Sequence, residues 1–350
     1  DKNMHKNKRQ ILTALLFMAV CIAAYFLIVR GQNNKSASAQ IFAMDTYMEL
    51  TAYGKNSEEA VGAAKAEIER LDALLSTGND KSEIGQLNKN KKGQISADTQ
   101  YLLNRSLTIY EETDGAFDIT IYPIMRAWGF TGEEHRIPTE EELQSLLQLV
   151  DASSLQYDAS TQTLTLPEGV EIDFGGIAKG YTSQRVAQIM QEYDITSAIL
   201  NLGGNVQLVG AKPDGSSWKV AIKSPDEQEE YLGVLSAKNK AIITSGGYER
   251  YFEENGRKYH HIIDPKTGMP AYNGLQSVTI VSEDGTLADG LSTALYVMGT
   301  ESAVKFWQNH SDEFDAILYT DDGTLYVTEG IADTFTSSHS ITVLEKAVAF

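Results

Sequence analysis

A carboxylate and a hydroxyl lie four residues apart near the C-terminal end of the sequence. Asp289 and Thr293 fall inside the apolar stretch 287–298, whose spacing predicts a helix. Residues four apart share one helix face, and hard oxygen donors suit Mg²⁺, which completes its coordination with water and substrate phosphates. The pair therefore indicates a magnesium site. The alternative is an Asp that favours the helix dipole next to a core Thr.

Two glycine pairs elsewhere in the sequence could belong to the same site as Asp289. Gly175-Gly176 follow the alternating apolar run 170–174 and precede an amphipathic segment, which predicts a strand, a turn and a helix with Lys179 in its first turn. Gly203-Gly204 end a second predicted strand. Glycines let the backbone approach a ligand, and a helix N-terminus favours a phosphate; the alternative is a tight connection with a solvated Lys. The sequence has neither a P-loop nor a GxGxxG motif. The combination predicts a diphosphate–Mg²⁺ site, which suits cleavage of a P–O bond.

Two adjacent histidines, His260 and His261, precede a turn at 264–268. A histidine here could act as a base, contact an anion or face solvent. Adjacent residues in a strand point to opposite faces, so at most one of the two faces any given site.

The elements that must position these residues are strands and helices in mixed order, so we expect the α+β class. Helices are predicted at 57–75 and 99–112, and after the capping box of Thr139 and Glu142. Strand-like runs are predicted at 41–50, 117–123 and 198–205, with a surface hairpin at 155–166, a meander through 218–245 and a hairpin turned by Asn255-Gly256.

Composition limits the classes of partner. The 350 residues carry a formal charge of −19, which argues against nucleic acid because that ligand requires a basic surface. Cys21 is the one cysteine, so an intrachain disulfide and a cysteine metal cluster are both excluded.

The N-terminal segment predicts a membrane anchor. Residues 1–10 are basic, and 11–29 form an apolar run long enough to span a bilayer, with the N-terminus in the cytoplasm. We expect a linker at 30–40 and an extracytoplasmic globular domain at 41–350. The alternatives are a cleaved signal peptide and a lipoprotein attached at Cys21.

Together these stretches resemble the ApbE family, the FAD:protein FMN transferases. Seven blocks in the family's order carry the resemblance, which covers residues 41 to about 330: 44–46, 82–88, 113–118, 173–181, 201–205, 261–268 and 288–294. The resemblance implies an ApbE-like, T-fold-related catalytic domain that binds FAD and Mg²⁺. Such an enzyme transfers FMN onto a Thr or Ser of a partner flavoprotein and releases AMP. The acceptors are FMN-binding domains of membrane redox complexes or extracytoplasmic reductases.

The resemblance also assigns residues. The metal ligands fall on Asp289 and Thr293 and on backbone oxygens of Gly176 and Ser292. The contacts to FAD fall on Met44, Ala116, Phe117, Asp118, Asp173, Lys179 and Ile263. His261 fits the catalytic-site histidine, and Asp289 or His261 could take the proton from the acceptor. Because a cation lowers the pKa of a carboxylate that binds it, chemistry favours His261.

The sequence departs from the family at several points. Gly78 stands where many members have an aromatic that stacks on the flavin, residues 337–350 match no family block, and the anchor replaces the usual lipobox. Two further hypotheses stay open, an FAD pyrophosphatase that yields FMN and AMP, and a membrane-tethered FAD-binding protein without catalysis.

Overall fold

A computed structural model describes residues 35–132 and 134–346. The predicted anchor at 11–29, the basic segment 1–10 and Cys21 lie outside the described residues. Within those two ranges, no helix has both the length and the apolar character that crossing a membrane requires.

The N-terminal half of the described chain begins with a hairpin and continues mainly as helices. Side-chain caps begin three of these helices, since Ser82, Ser96 and Thr139 each accept a hydrogen bond from the backbone N–H three residues on. The elements are β1 (Ser36–Ala43), β2 (Thr46–Tyr53), α1 (Ser57–Leu75), α2 (Glu83–Asn90), β3 (Lys92–Gln94), α3 (Ala97–Glu112), α4 (Tyr122–Ala127) and α5 (Glu140–Leu147).

The remainder is richer in strands. Its elements up to residue 260 are β4 (Gln156–Asp158), β5 (Thr163–Thr165), α6 (Ala178–Glu192), β6 (Ser197–Leu202), β7 (Asn205–Gly210), β8 (Trp218–Lys223), β9 (Tyr231–Ala237), β10 (Ala241–Gly246), β11 (Tyr251–Glu254) and β12 (Arg257–His260). The chain then forms β13 (Leu275–Ser282), α7 (Gly285–Met298), α8 (Thr300–Asn309), β14 (Asp315–Thr320), β15 (Leu325–Thr328), α9 (Glu329–Ala332), β16 (Phe335–Thr336) and β17 (Ile341–Leu344).

A nine-stranded sheet in the order β1-β2-β6-β7-β10-β13-β14-β15-β17 forms the centre of the fold. Neighbouring strands are antiparallel except β15 and β17, which are parallel. Helices α1, α6 and α7 pack on one face of this sheet, and the small sheet β16-β9-β8 packs on the other. The predicted α+β class is therefore confirmed.

Several predicted elements differ from the observed ones. The predicted strand 41–50 is two strands, because Met44 and Asp45 both have positive φ and turn the chain back. Strand β1 begins at Ser36, within the segment predicted as a linker. Most of the run 117–123 is helical, not extended: Asp118 caps Thr120 N–H at 2.8 Å, and residues 119–123 form a helical turn. The predicted meander is divided, since β8 and β9 belong to the small sheet and β10 to the large one.

The run before Gly175-Gly176 is extended but is not a strand of any sheet. Asn88 replaces a neighbouring strand: its amide nitrogen donates to Ile172 O at 2.9 Å, and its amide oxygen accepts from Ile172 N at 2.8 Å. Asp173 N–H donates to Ile119 O at 2.9 Å. A side chain 84 positions earlier in the chain thus holds the segment before the glycine-rich turn. The segment therefore keeps the alternating pattern of a strand without pairing with one.

Candidate functional site

A cleft of about 740 Å³ opens between the tips of two hairpins, the N-terminal end of α6 and the middle of α7. Eleven of the twelve predicted site residues line it: Met44, Ala116, Phe117, Asp118, Asp173, Gly176, Lys179, His261, Ile263, Asp289 and Thr293. The exception is Ser292, which is fully buried behind the wall and bonds to Ser245 Oγ at 2.7 Å. Residues spread over 250 positions in sequence are therefore brought to one place.

Asp289 is the buried carboxylate of the cleft. Its Oδ2 accepts a hydrogen bond from the backbone N–H of Gly180, in the first turn of α6, at 2.7 Å. Burial raises the pKa of Asp289, while the positive charge of Lys179 and the Gly180 N–H act in the opposite direction. One helix N–H that the sequence suggested for a phosphate is thus occupied by a protein carboxylate.

The contact between α6 and α7 depends on Gly180. A β-carbon at this position would overlap the carbonyl oxygen of Gly285 and the β-carbon of Asp289. Glycine therefore permits the close approach of the two helices, which sets the distance between Lys179 and Asp289 on the cleft wall.

Three of the four residues predicted as metal ligands, Gly176, Asp289 and Thr293, line the cleft. Thr293 is one helical turn beyond Asp289, and Gly176 packs against Phe117 so closely that a β-carbon would lie 2.9 Å from its ring. In the described part of the chain, no group of three or more His, Cys, Asp or Glu side chains could hold a metal. One carboxylate, one hydroxyl and backbone carbonyls are a donor set for a hard cation that keeps waters and binds substrate oxygens.

Lys179 lies amid three carboxylates of the cleft. Burial raises the pKa of Asp173, and the charge of Lys179 opposes that rise. Glu249 enters from the loop after β10, and desolvation by the surrounding wall raises its pKa to about 7, against the charges of Lys179 and Lys223. A cation in this position balances acidic groups in the free protein and would also attract an anionic ligand.

His261 and His260 face different environments, as predicted from their adjacency. His260 is buried, with Nε2 bonded to Ala271 O at 2.9 Å, whereas His261 lines the cleft. His261 Nδ1 lies 3.1 Å from the Arg250 carbonyl oxygen. Because a carbonyl only accepts, Nδ1 carries the proton and Nε2 keeps a free lone pair. Burial lowers the pKa of His261 to about 4, so the ring is a neutral acceptor at physiological pH.

Asp118 lines the cleft, but its carboxylate makes hydrogen bonds within the protein. Its oxygens accept from Thr120 N, Thr120 Oγ1 and Ala152 N, at 2.8, 2.6 and 3.2 Å. These bonds hold the segment that places Ala116 and Phe117 at the wall. Any contact of Asp118 with a ligand would add to this capping role.

The turn of the first hairpin holds strain at the cleft. Met44 has φ +49° and Asp45 has φ +57°, values that suit Asn-Gly in a two-residue hairpin. A left-handed Met costs about 1–2 kcal/mol, whereas Asp is among the residues that tolerate this region. Such strain is concentrated at functional sites. The Met44 N–H is held by Asp72 Oδ1 at 3.0 Å, so the turn fixes the Met44 side chain against the cleft.

We expect the double substitution Met44→Asn, Asp45→Gly to stabilise the protein by about 1 kcal/mol, because both new residues tolerate positive φ. Ligand affinity should fall, because Met44 is lost from the cleft wall. Thermal unfolding and a titration with FAD, the ligand that the family resemblance implies, would measure the two effects. Asp45→Gly alone, which keeps Met44, should retain the affinity for FAD. If both variants were less stable than wild type, the turn would not be strained.

Comparison with known proteins gives the family. The sequence model of the ApbE family matches residues 44–318. The FAD:protein FMN transferase of Haemophilus influenzae is 30% identical over 285 residues, covering 78% of this chain and 82% of the relative. The one from Vibrio cholerae is 33% identical over 263 residues, covering 73% and 78%. The chain belongs to the ApbE family.

Solved structures agree with this assignment. The ApbE protein of Thermotoga maritima has a TM-score of 0.80 at 31% identity, covering 85% of this chain and 98% of that one. The flavin transferase ApbE of Vibrio cholerae has a TM-score of 0.77 at 28% identity, covering 86% and 99%. The ApbE-like fold is thereby confirmed.

Some residues that line this ApbE-family cleft were not predicted from the sequence. Thr46, Asp72, Asn205, Glu249 and Arg250 contribute polar groups to the wall. Asn205 and Thr46 lie inside recognised family blocks, so the blocks could have indicated them. Glu249 and Arg250 are adjacent charged residues before a strand, a pattern that is common on protein surfaces, and only the fold reveals their position.

Proposed function

We propose that this protein is a Mg²⁺-dependent FAD:protein FMN transferase, which joins FMN through a phosphoester bond to a Thr or Ser of a partner flavoprotein and releases AMP. The observation that carries the proposal is the meeting of Asp289, Thr293, Lys179 and His261 in one cleft. Oxygen donors, a cation and a neutral histidine are the groups that transfer of a phosphoryl-linked nucleotide needs. The matched relatives bear the name of this activity.

The cleft suits FAD in size and lining. Its volume lies within the range of about 300–1,000 Å³ that is usual for small-ligand sites. Phe117, Tyr122, Phe130 and Ile263 supply apolar surface for a ring system. Lys179 and the Gly175-Gly176 backbone supply positive charge and close approach for a diphosphate.

Asp289, Thr293 and the Gly176 carbonyl would hold Mg²⁺. The fit rests on their chemistry, since each offers an oxygen at the same wall and Asp289 has one carboxylate oxygen already fixed by Gly180. When bound, the cation neutralises charge on the diphosphate and stabilises the leaving phosphate of AMP. Ser292 would take part only through its backbone oxygen, because its hydroxyl already bonds to Ser245 Oγ and to the Asp289 carbonyl.

The acceptor hydroxyl would attack the phosphorus on the FMN side of the diphosphate. A new P–O bond to the acceptor forms as the bond to AMP breaks. His261 would take the hydroxyl proton on Nε2, because its Nδ1–H is held by Arg250 O. Lys179 would balance the charge that leaves with AMP.

We also propose a location and a class of partner. Residues 11–29 would anchor the chain in the cytoplasmic membrane, with the catalytic domain outside. The partners would be FMN-binding domains of membrane redox complexes or extracytoplasmic reductases. A lipid anchor at Cys21 is the alternative form of attachment.

The proposal is tested with the full-length chain, FAD, Mg²⁺ and a purified FMN-binding domain that contains a Thr acceptor. The intact mass of the domain should rise by the mass of FMN less water, with one AMP released per transfer. A domain whose acceptor Thr is replaced by Ala is the matched control. AMP without a gain in mass would identify a pyrophosphatase, and bound FAD without either product would identify a binding protein.

Gly78 gives a separate prediction about the flavin end of the cleft. A β-carbon at Gly78 meets no atom within 4 Å, although the residue lines the cleft. An aromatic ring there can stack on a flavin, and such a pair contributes about 0.5–1.5 kcal/mol. Gly78→Tyr should therefore lower the Kd for FAD by roughly twofold to twelvefold. Gly78→Ala is the control, and equal affinity of Gly78→Tyr and wild type in a fluorescence titration would refute stacking at this position.

A further inference from the structure

The tip of the β1–β2 hairpin presents the two most exposed large apolar side chains of the described residues. Phe42 is 62% exposed and Tyr47 is 78% exposed. They are direct partners across the hairpin, and their rings pack edge to face with centroids 5.0 Å apart. A preformed aromatic pair in water is typical of a surface that another molecule covers.

The pair borders the cleft. The turn that joins the two strands places Met44, Asp45 and Thr46 in the cleft wall. The alternate residues Ile41 and Met48 point to the other sheet face and pack in the core beneath α1 and α6. Phe42 and Tyr47 therefore lie on the outer face, beside the mouth of the cleft.

The small sheet that covers this outer face elsewhere does not extend over the pair. Strands β8, β9 and β16 pack on central positions of the large sheet such as Leu208, Ile242 and Ile317. On β2 the same cluster includes Tyr53, at the far end of the strand from the turn. The sheet corner with Phe42 and Tyr47 is thus left bare in the described part of the chain.

Carboxylates flank the aromatic pair. Asp45 is exposed in the turn, and Glu49 is exposed two residues after Tyr47 on the same strand face. Glu49 is bonded to Gln40 at 2.9 Å, which holds it on the surface. Apolar rings between negative charges fit a partner segment with an apolar side chain and a neighbouring Lys or Arg.

We propose that Phe42 and Tyr47 form the docking surface for the acceptor protein, in contact with the segment that carries its acceptor Thr or Ser. The inference rests on the proposed function. The attacking hydroxyl must enter the cleft while the rest of the acceptor domain stays outside, so the rim carries the protein–protein contact. The hairpin contributes to the cleft through its turn and to the protein–protein contact through its aromatic pair.

The test compares the full-length chain with its Phe42→Ser, Tyr47→Ser double variant, using the FMN-binding domain as acceptor at varied concentration. The KM for the domain should rise at least tenfold, because central aromatic contacts dominate interface energies. The kcat at saturating domain and the Kd for FAD should stay within twofold of wild type. Glu49→Lys should raise the KM and weaken its dependence on salt.

Two control variants remove exposed apolar groups elsewhere. Val343→Ser changes a residue that is 47% exposed on β17, the opposite edge strand of the large sheet, and Tyr231→Ser changes one that is 44% exposed on β9. Both should keep the wild-type KM. An equal rise in these controls would overturn the assignment of the surface.

The outcomes separate the surface from the activity. Transfer by the double variant with an unchanged KM overturns the surface and leaves the proposed function intact. Absence of transfer by the wild type refutes the proposed function and, with it, the assignment of the docking surface. A wild-type dimer that the double variant dissolves, seen by sedimentation with no change in KM, would show that a second copy covers the pair.

Discussion

Asp289→Asn is expected to lower the rate of FMN transfer by roughly a thousandfold, about 4 kcal/mol of transition-state stabilisation. Asn has nearly the same shape, and its amide oxygen can still accept the Gly180 N–H that Asp289 binds at 2.7 Å. The contact between α6 and α7 should therefore survive, while the negative charge that would hold Mg²⁺ is lost. The loss should appear as an absence of response to added Mg²⁺.

Thermal unfolding with and without Mg²⁺ gives a readout that does not depend on activity. Burial raises the pKa of Asp289, so its ionisation opposes folding, and stability is lost as pH rises through that pKa. Without metal at pH 7, the Asn variant should be as stable as wild type or more so. Binding to the native state stabilises it, so Mg²⁺ should raise the melting temperature of wild type alone.

The matched control is Asp284→Asn on the same helix. Asp284 caps α7 by accepting Leu287 N–H at 2.9 Å, and Asn is an equally good cap. This variant loses its ion pair with Arg105 but should keep the Mg²⁺ response. Mg²⁺-dependent stabilisation of Asp289→Asn would contradict the metal assignment.

The part of the site that sequence could predict follows from local rules. Asp289 and Thr293 share a face because an α-helix repeats every 3.6 residues, and the structure places both in the cleft. The rule that adjacent strand residues alternate separated His261 from His260. The order of the family blocks then linked the segments, although each block is only a few residues long.

The rest of the site depends on contacts that no local pattern carries. Asn88 bonds to both backbone groups of Ile172, so an extended segment with strand-like periodicity needs no neighbouring strand. The reversal at Met44–Asp45 places a Met at positive φ, which its side chain does not favour. Such strain persists only when the surrounding structure holds it, and local propensity therefore predicted one strand of 41–50.

The electrostatics of the cleft also arise from long-range proximity. Glu249, Lys179 and Asp289 come from three separate segments. Desolvation raises the pKa of Glu249 to about 7, the charges of Lys179 and Lys223 oppose the rise, and that of Asp289 adds to it. The sequence shows only a Glu-Arg pair before a strand. Charges that interact across a fold can be predicted after the segments are placed, because the energy depends on distance and on local burial.

Replacing His261 by Gln is expected to lower kcat for transfer by about 10²–10⁴-fold, the usual contribution of a general base. The Gln amide can still donate to Arg250 O, so the surroundings of the side chain change little. Binding of FAD should be nearly unchanged, because the neutral ring carries no charge to attract the diphosphate. Full activity of this variant would eliminate His261 as the base.

The pH dependence makes the role of His261 specific. Burial first, then the charges of His260, Arg250 and Lys179, hold its pKa at about 4, against the hydrogen bond to the Arg250 carbonyl. The base is active when unprotonated, so kcat/KM of wild type should be level near pH 6 and fall as pH drops through about 4. His261→Gln should lose this acid limb together with the rate. His310→Gln changes a histidine bonded to Phe306 O at the end of α8, and it should keep both the rate and the limb. An acid limb that remains in His261→Gln would assign the titration to another group, because the Gln side chain does not titrate in this pH range.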